Sequence, residues 1–203
     1  MFTVFPNEKT LVGYNSQSKQ LQIEDITLSQ SAEKIESCSS NLYSILFNEE
    51  LEVLLGGYES GEFIQYKKND NEKWKCQINY GNIQIGYILS SDQVGCIVAV
   101  GGYKKNKKNL RFVNIKDQII LGPVIETAFV NVYSLCFGIL SKSEVLLSVG
   151  GDQPDYLYGK TNIFNVTQIL RNQNVRVNKM VDHSKSKVRS IEHYSNIIGA
   201  KAK

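Results

Sequence analysis

Proline and histidine are scarce in this chain of 203 residues, with three prolines and two histidines, and Trp74 is its single tryptophan. No run approaches the roughly 18 consecutive apolar residues that a membrane-spanning helix needs. The start, MFTVFPNEK, has neither the charged opening nor the small-residue cleavage site of a secretory signal, so a cytoplasmic location is expected. The four cysteines, Cys38, Cys76, Cys96 and Cys136, lie far apart with no CxxC pair. They are read as free thiols, and neither a zinc site nor a disulfide framework is expected.

Charge of one sign is also missing. Lys and Arg number 23 against 20 Asp and Glu, a formal net charge of +3, whereas a nucleic-acid binder concentrates positive charge on one face. Two short basic runs stand out, YKKNKKN at Tyr103–Asn109 and HSKSKVR at His183–Arg189. Lysines of this kind protect strand edges from pairing, and nucleic acid is not the expected partner. Catalytic constellations are absent too. His183 and His193 have no nucleophile arrangement nearby, and VGGD at 149–152 precedes no helix signal of the kind a phosphate-binding glycine loop requires. No cofactor or metal is implied, and a non-catalytic protein is expected.

What the chain does have is repetition. An apolar run ending in glycine recurs as TLVGY at Gly13, VLLGGY at Gly57, VAVGGY at Gly102, LSVGGD at Gly151 and, more weakly, NIIGA at Gly199, a step of 44 to 49 residues. Such a period belongs to multi-stranded units. A strand is predicted before each of the last four runs: Asn41–Phe47, Asn82–Ile88, Asn131–Phe137 and Lys187–His193. In NVYSLCF, alternation places Val132, Ser134 and Cys136 on one face and Tyr133, Leu135 and Phe137 on the other, so both faces carry apolar groups. A third strand follows each run at Gln20–Ile26, Glu62–Lys68, Asn109–Ile115 and Thr161–Thr167, and a fourth is expected near Lys73–Ile78 and Lys116–Ile125. The glycines are read as turn formers at the end of each second strand.

Four-stranded units at this spacing resemble the WD40-repeat β-propeller family over nearly the whole chain. The resemblance implies an all-β fold of residues 1–203, with about four repeats and a partial fifth, and an incomplete propeller is the expectation. The family's Trp-Asp ending stands here as Glu24-Asp25, Tyr66-Lys67, Val113-Asn114 and Phe164-Asn165, with no Gly-His dipeptide, so the family's Asp-His network is expected to be absent or replaced. A kelch propeller is the rival, on the double glycine followed by Tyr66 and Trp74, but that aromatic pair does not recur in the later units.

Equivalent loops of a ring share one face. The loops after the glycine runs would present Tyr14, Tyr58, Tyr103 and Asp152 at matching positions, flanked by Lys104, Lys105, Lys107 and Lys108, with Tyr156 and Tyr158 on the insertion Asp152–Lys160. Tyrosine supplies stiff amphipathic contact area, so the expected function is a protein–protein interaction scaffold, within a multi-subunit complex or alone. The alternatives are a structural subunit whose open propeller is completed by another chain, and a propeller hydrolase using a metal or acidic residues in its central channel.

Overall fold

The computed structural model describes residues 2–4, 10–25, 33–36, 40–71, 73–104, 106, 108–141, 144–152, 160–167, 178–183, 188–194 and 197–202, and for the first and the last three of these stretches the backbone alone. The described chain is all-β. Four antiparallel units follow one another: β1 (Phe2–Val4), β2 (Thr10–Asn15), β3 (Gln20–Asp25) and β4 (Glu33–Glu36); then β5 (Leu42–Asn48), β6 (Val53–Tyr58), β7 (Glu62–Lys68) and β8 (Trp74–Asn82). The third holds β9 (Tyr87–Val94), β10 (Ile97–Tyr103), β11 (Lys108–Asn114) and β12 (Ile119–Glu126), and the fourth β13 (Asn131–Ser141), β14 (Glu144–Asp152), β15 (Lys160–Asn165) and β16 (Asn178–His183). A hairpin of β17 (Val188–Tyr194) and β18 (Ile197–Ala202) begins a fifth. β1 pairs with β2, so the first strand completes the first unit rather than the last.

Second strands are buried on both faces, which is why they read as continuous apolar runs. In β6, Leu54 packs toward the first unit with Val12, Leu21 and Tyr66, while Val53 and Leu55 pack toward the third with Ile88, Val98 and Val113. On β10 and β11, Ala99, Leu110 and Phe112 face the fourth unit, where Val132, Leu147 and Phe164 meet them. Each fully buried aliphatic or aromatic side chain contributes about 1.5–3 kcal/mol, and these three junctions hold the units together.

The first strands β1, β5, β9, β13 and β17 contact one another in sequence and form the inner edge. A recurring β-bulge marks them: Tyr43, Leu89, Tyr133 and Arg189 are each left unpaired between Leu42 and Ser44, Ile88 and Ser90, Val132 and Ser134, and Val188 and Ser190. The bulge overrides simple alternation, so Val132, Leu135 and Phe137 all reach the same core. It also shows that YILSSDQV, not Asn82–Ile88, is the third copy of the inner strand. Ile83 and Ile85 are buried as a link between units. Gln84 between them has φ 67, a turn rather than a strand.

Inner-edge backbone groups are met by side chains of a neighbouring unit. Gln93 Nε2 donates to Phe47 O at 2.7 Å, Ser90 Oγ to Val132 O at 3.2 Å, and Phe137 N–H donates to Asp92 Oδ2 at 2.6 Å. Burial pushes the Asp92 carboxyl up, against the two backbone N–H groups of Phe137 and Gln93 that favour its ionised form. A raised folded pKa means that this group's stabilisation is full below its ordinary value of 3.8 and is lost as pH rises through the folded pKa. Asp92→Asn keeps an acceptor for Phe137 and removes the charge. Its denaturation midpoint is expected to lose the part of the decline that wild type shows on going from about pH 4 to 7; parallel midpoint–pH curves for the two proteins would refute this.

The double glycines are not turn formers. One position lies where the next unit leans in: a Cβ on Gly57, the second glycine of its pair, would meet Ile88 Cγ2 at 2.3 Å, and one on Gly101, the first of its pair, would meet Val132 Cγ1 at 2.5 Å. The next position, the second glycine of the pair in the third and fourth units, lies under the inner strand's own carbonyl, with Tyr87 O at 1.7 Å from a Cβ on Gly102 and Asn131 O at 2.2 Å from one on Gly151. The turn itself uses Gly61, at φ 81, in the second unit.

Candidate protein-interaction face

Antiparallel order places the turns after β2, β6, β10 and β14 on the same rim as the links that enter β5, β9 and β13. Register decides which residues are equivalent there. Ser44 pairs with Gly57, Ser90 with Gly101 and Ser134 with Gly150, so Tyr103 and Asp152 correspond to Glu59, not to Tyr58. Tyr58 instead corresponds to Gly102 and Gly151, and Tyr14, on the side of β2 that faces the second unit, falls opposite the place of Gly57. The four expected rim positions are therefore not one ring. The glycine pair is displaced by one residue in the second unit, a shift that only the bulged pairing exposes.

Corrected in this way, the rim carries a repeated clamp. In the second unit, Asn41 Nδ2 donates to Glu59 Oε2 at 2.8 Å and Tyr43 OH to Glu59 Oε1 at 3.4 Å. In the fourth, Asn131 Nδ2 donates to Asp152 Oδ1 at 2.9 Å and Tyr133 OH to Asp152 Oδ2 at 3.2 Å. One carboxylate thus ties an amide and a phenol of the bulged inner strand to the end of the second strand, with charge-assisted bonds. Desolvation, then the Glu59 carboxylate, pushes the Tyr43 phenol above its ordinary value. The signal was present as N-x-Y-S at 41–44 and 131–134. In the third unit the same two positions are Tyr87 and Tyr103, whose rings stack at 5.4 Å and 25°.

The expected residues fare differently. Tyr58 is fully buried, its hydroxyl 2.5 Å from that of Tyr66, and it has no part in a contact surface. Tyr14 is half-buried and donates to Ser40 O at 3.2 Å. Tyr103, Lys104 and Asp152 are half-buried and Lys108 is exposed, all on the rim. Lys105, Lys107, Tyr156 and Tyr158 lie outside the described residues. Asn41, Tyr43, Glu59, Tyr87, Asn131 and Tyr133 join the rim unanticipated. Among the described residues no group of His, Cys, Asp and Glu could hold a metal ion, and Cys76 and Cys96 are free thiols. Among the described residues no helix is long and apolar enough to cross a membrane.

No protein-family model matches the chain, and no curated protein matches it in sequence. Solved structures do. A chain in the crystal structure of a mitotic checkpoint complex aligns with TM-score 0.74 and 13% identity over 97% of this chain and 56% of that one. The C-terminal WD40 domain of Sif2 aligns with TM-score 0.60 and 12% identity over 91% of this chain and 48% of that one. The chain spans about half the length of each.

Proposed function

We propose, for a chain folded as blades of a WD40-type β-propeller, that it is a non-catalytic platform for protein–protein contact whose partner docks on the rim of Tyr43, Tyr87, Tyr103 and Tyr133. One observation carries the reading: Tyr87 is 46% exposed yet held flat on Tyr103, between two carboxylate clamps. An ordered, exposed aromatic pair contributes contact area at little further entropic cost on binding. Of the residues expected from sequence, Tyr103, Lys104, Lys108 and Asp152 stay in this surface.

The test is affinity capture with three proteins: wild type, Tyr87→Ala/Tyr103→Ala, and Ile139→Ser, which alters an exposed side chain on the opposite rim. A partner held by wild type and Ile139→Ser and lost by the tyrosine variant supports the reading. One that ignores the tyrosines refutes it. A second reading, completion of the ring by further blades of another chain, is favoured by the outer side of the first unit, where a Cβ on Gly13 would meet nothing within 4 Å and Glu24 is exposed. A partner lost on Gly13→Arg and kept without the tyrosines supports that reading instead.

A further inference from the structure

Two cations converge on Gln84. Arg111, on β11, donates from Nη1 to Gln84 Oε1 at 2.9 Å and to Ile83 O at 3.4 Å, and from Nη2 to Gly122 O at 3.2 Å. Lys104 Nζ donates to the main-chain oxygen of the same Gln84. Every one of these acceptors is a neutral amide oxygen, and neither cation has a carboxylate partner among the described residues. Arg111 Nε is buried with no hydrogen-bond partner among the described residues. Desolvation, uncompensated by a counter-charge, pulls the guanidinium below its ordinary value.

An arginine so placed is unusual, because its planar fork is matched by a carboxylate or phosphate and is costly to desolvate beside neutral groups alone. The arrangement is nonetheless built rather than loose. Gln84 stands at φ 67, in the left-handed region that residues other than glycine seldom occupy. Its N–H is fixed by Asn82 Oδ1 at 2.9 Å. Lys104 is fixed at its own backbone, where its N–H donates to Val130 O at 3.0 Å. The residue before it is Tyr103, and Gly86 N–H donates to Tyr103 O at 3.0 Å. The cations therefore sit directly beside the stacked tyrosines. Lys108 is exposed at the far end of the same turn, and Lys105 and Lys107 lie between in sequence.

We propose that Arg111, Lys104 and Gln84 form a carboxylate-binding cradle, and that the partner docking on this rim is an acidic protein segment with an apolar side chain next to its Asp or Glu. The inference rests on the interaction-face reading above and names the partner's chemistry. The Gln84 side-chain oxygen stands where a carboxylate oxygen would. An incoming carboxylate displaces this flexible neutral amide from Arg111 Nη1, gains a charge-assisted bond there, and lies within the field of the Lys104 ammonium. The neighbouring apolar side chain then covers the exposed face of Tyr87.

The probe is a fluorescein-labelled random copolymer of glutamate and tyrosine, titrated with the intact chain and followed by anisotropy. Arg111→Gln and Lys104→Gln are each expected to weaken binding about five- to tenfold, and Lys116→Gln, in the turn after β11, to leave it unchanged. Arg111→Lys, which keeps the charge and loses the fork, is expected to fall between; it guards against a folding defect, as does Lys104→Gln at a half-buried surface position. Equal loss from Lys116→Gln would mean unspecific attraction and overturn the cradle. So would wild-type affinity in both Gln variants, or tighter binding of an oligothymidine that displaces the copolymer. If the copolymer ignores Arg111 and Lys104 while partner capture still needs Tyr87 and Tyr103, the cradle fails and the interaction face stands. If capture also ignores the tyrosines, the face fails as well.

Discussion

Gly102→Ala is expected to destabilise the fold by about 4 kcal/mol or more, a large share of the about 5–15 kcal/mol that ordinarily holds a domain folded. The added Cβ would sit 1.7 Å from Tyr87 O and 2.7 Å from Tyr87 C. Carbon and carbonyl oxygen approach to about 3.3 Å at best, so the Tyr87 peptide must retreat. That peptide belongs to the β9–β10 ladder, where Tyr87 pairs with Tyr103 and Ile88 with Gly102. Retreat breaks the ladder, the stack and the Ile85 contact, which lies 2.9 Å from the same Cβ. Gly101→Ala makes an informative contrast. Its obstacle is Val132 Cγ1 at 2.5 Å, a side chain, so Val132→Ala is expected to recover part of the loss, and no single truncation rescues Gly102→Ala. Gly13→Ala, with nothing within 4 Å, is expected to stay within about 1 kcal/mol of wild type. Urea denaturation of the four variants checks the order. A Gly102→Ala protein that unfolds near wild type would disprove the close-approach account.

These glycines also explain what could be read in advance. The period was legible because second strands are squeezed between two neighbours and must be apolar on both faces, as in VLLGGY and VAVGGY. Their purpose was not legible, because the atoms that exclude a side chain at Gly57 and Gly102 belong to Ile88 and Tyr87, which no local pattern connects to them. The third inner strand was misplaced by about five residues for a related reason. YILSSDQV puts Asp92 and Gln93 where the second unit has Leu46 and Phe47 and the fourth has Cys136 and Phe137, since these polar groups bond across to neighbouring units. The buried link Ile83–Ile85 mimicked a strand instead. The outer strand β4 (Glu33–Glu36) gave little apolar signal, with only Ile35 in the core. At the rim, NLYS and NVYS read as strand starts, but their role appears only when Glu59 and Asp152 are matched through the bulges. The one-residue displacement of the glycine pair in the second unit makes Tyr58, a core residue, look equivalent to Tyr103 in sequence. Arg111 could not be singled out, because only the fold brings it to Gln84.

Asn109→Ala is expected to cost about 3 kcal/mol, because this fully buried amide fixes the link between the third and fourth units. Its Nδ2 donates to Phe129 O at 2.9 Å and Val130 O at 3.1 Å, and its Oδ1 accepts from Thr127 Oγ1 at 2.7 Å. Truncation leaves the Thr127 hydroxyl without its best acceptor and Phe129 O with only a long contact from Thr127 Oγ1 at 3.4 Å, while Val130 O keeps the Lys104 N–H. Thr127→Val removes one of these bonds along with the hydroxyl's acceptance of Phe129 N–H, and should cost less, about 1–2 kcal/mol. Asn109→Asp should cost most at neutral pH, since it buries a carboxylate against two carbonyl oxygens and deletes both donors. The expected order of midpoints is therefore wild type, Thr127→Val, Asn109→Ala, Asn109→Asp, and a Thr127→Val protein less stable than Asn109→Ala would overturn it. The consequence reaches the rim. Residues 127–130 deliver Asn131 to its clamp with Asp152 and hold the Lys104 backbone, so loosening Asn109 frees both halves of the proposed docking surface at once. Asn109→Ala should then weaken copolymer binding even at temperatures where the protein remains folded.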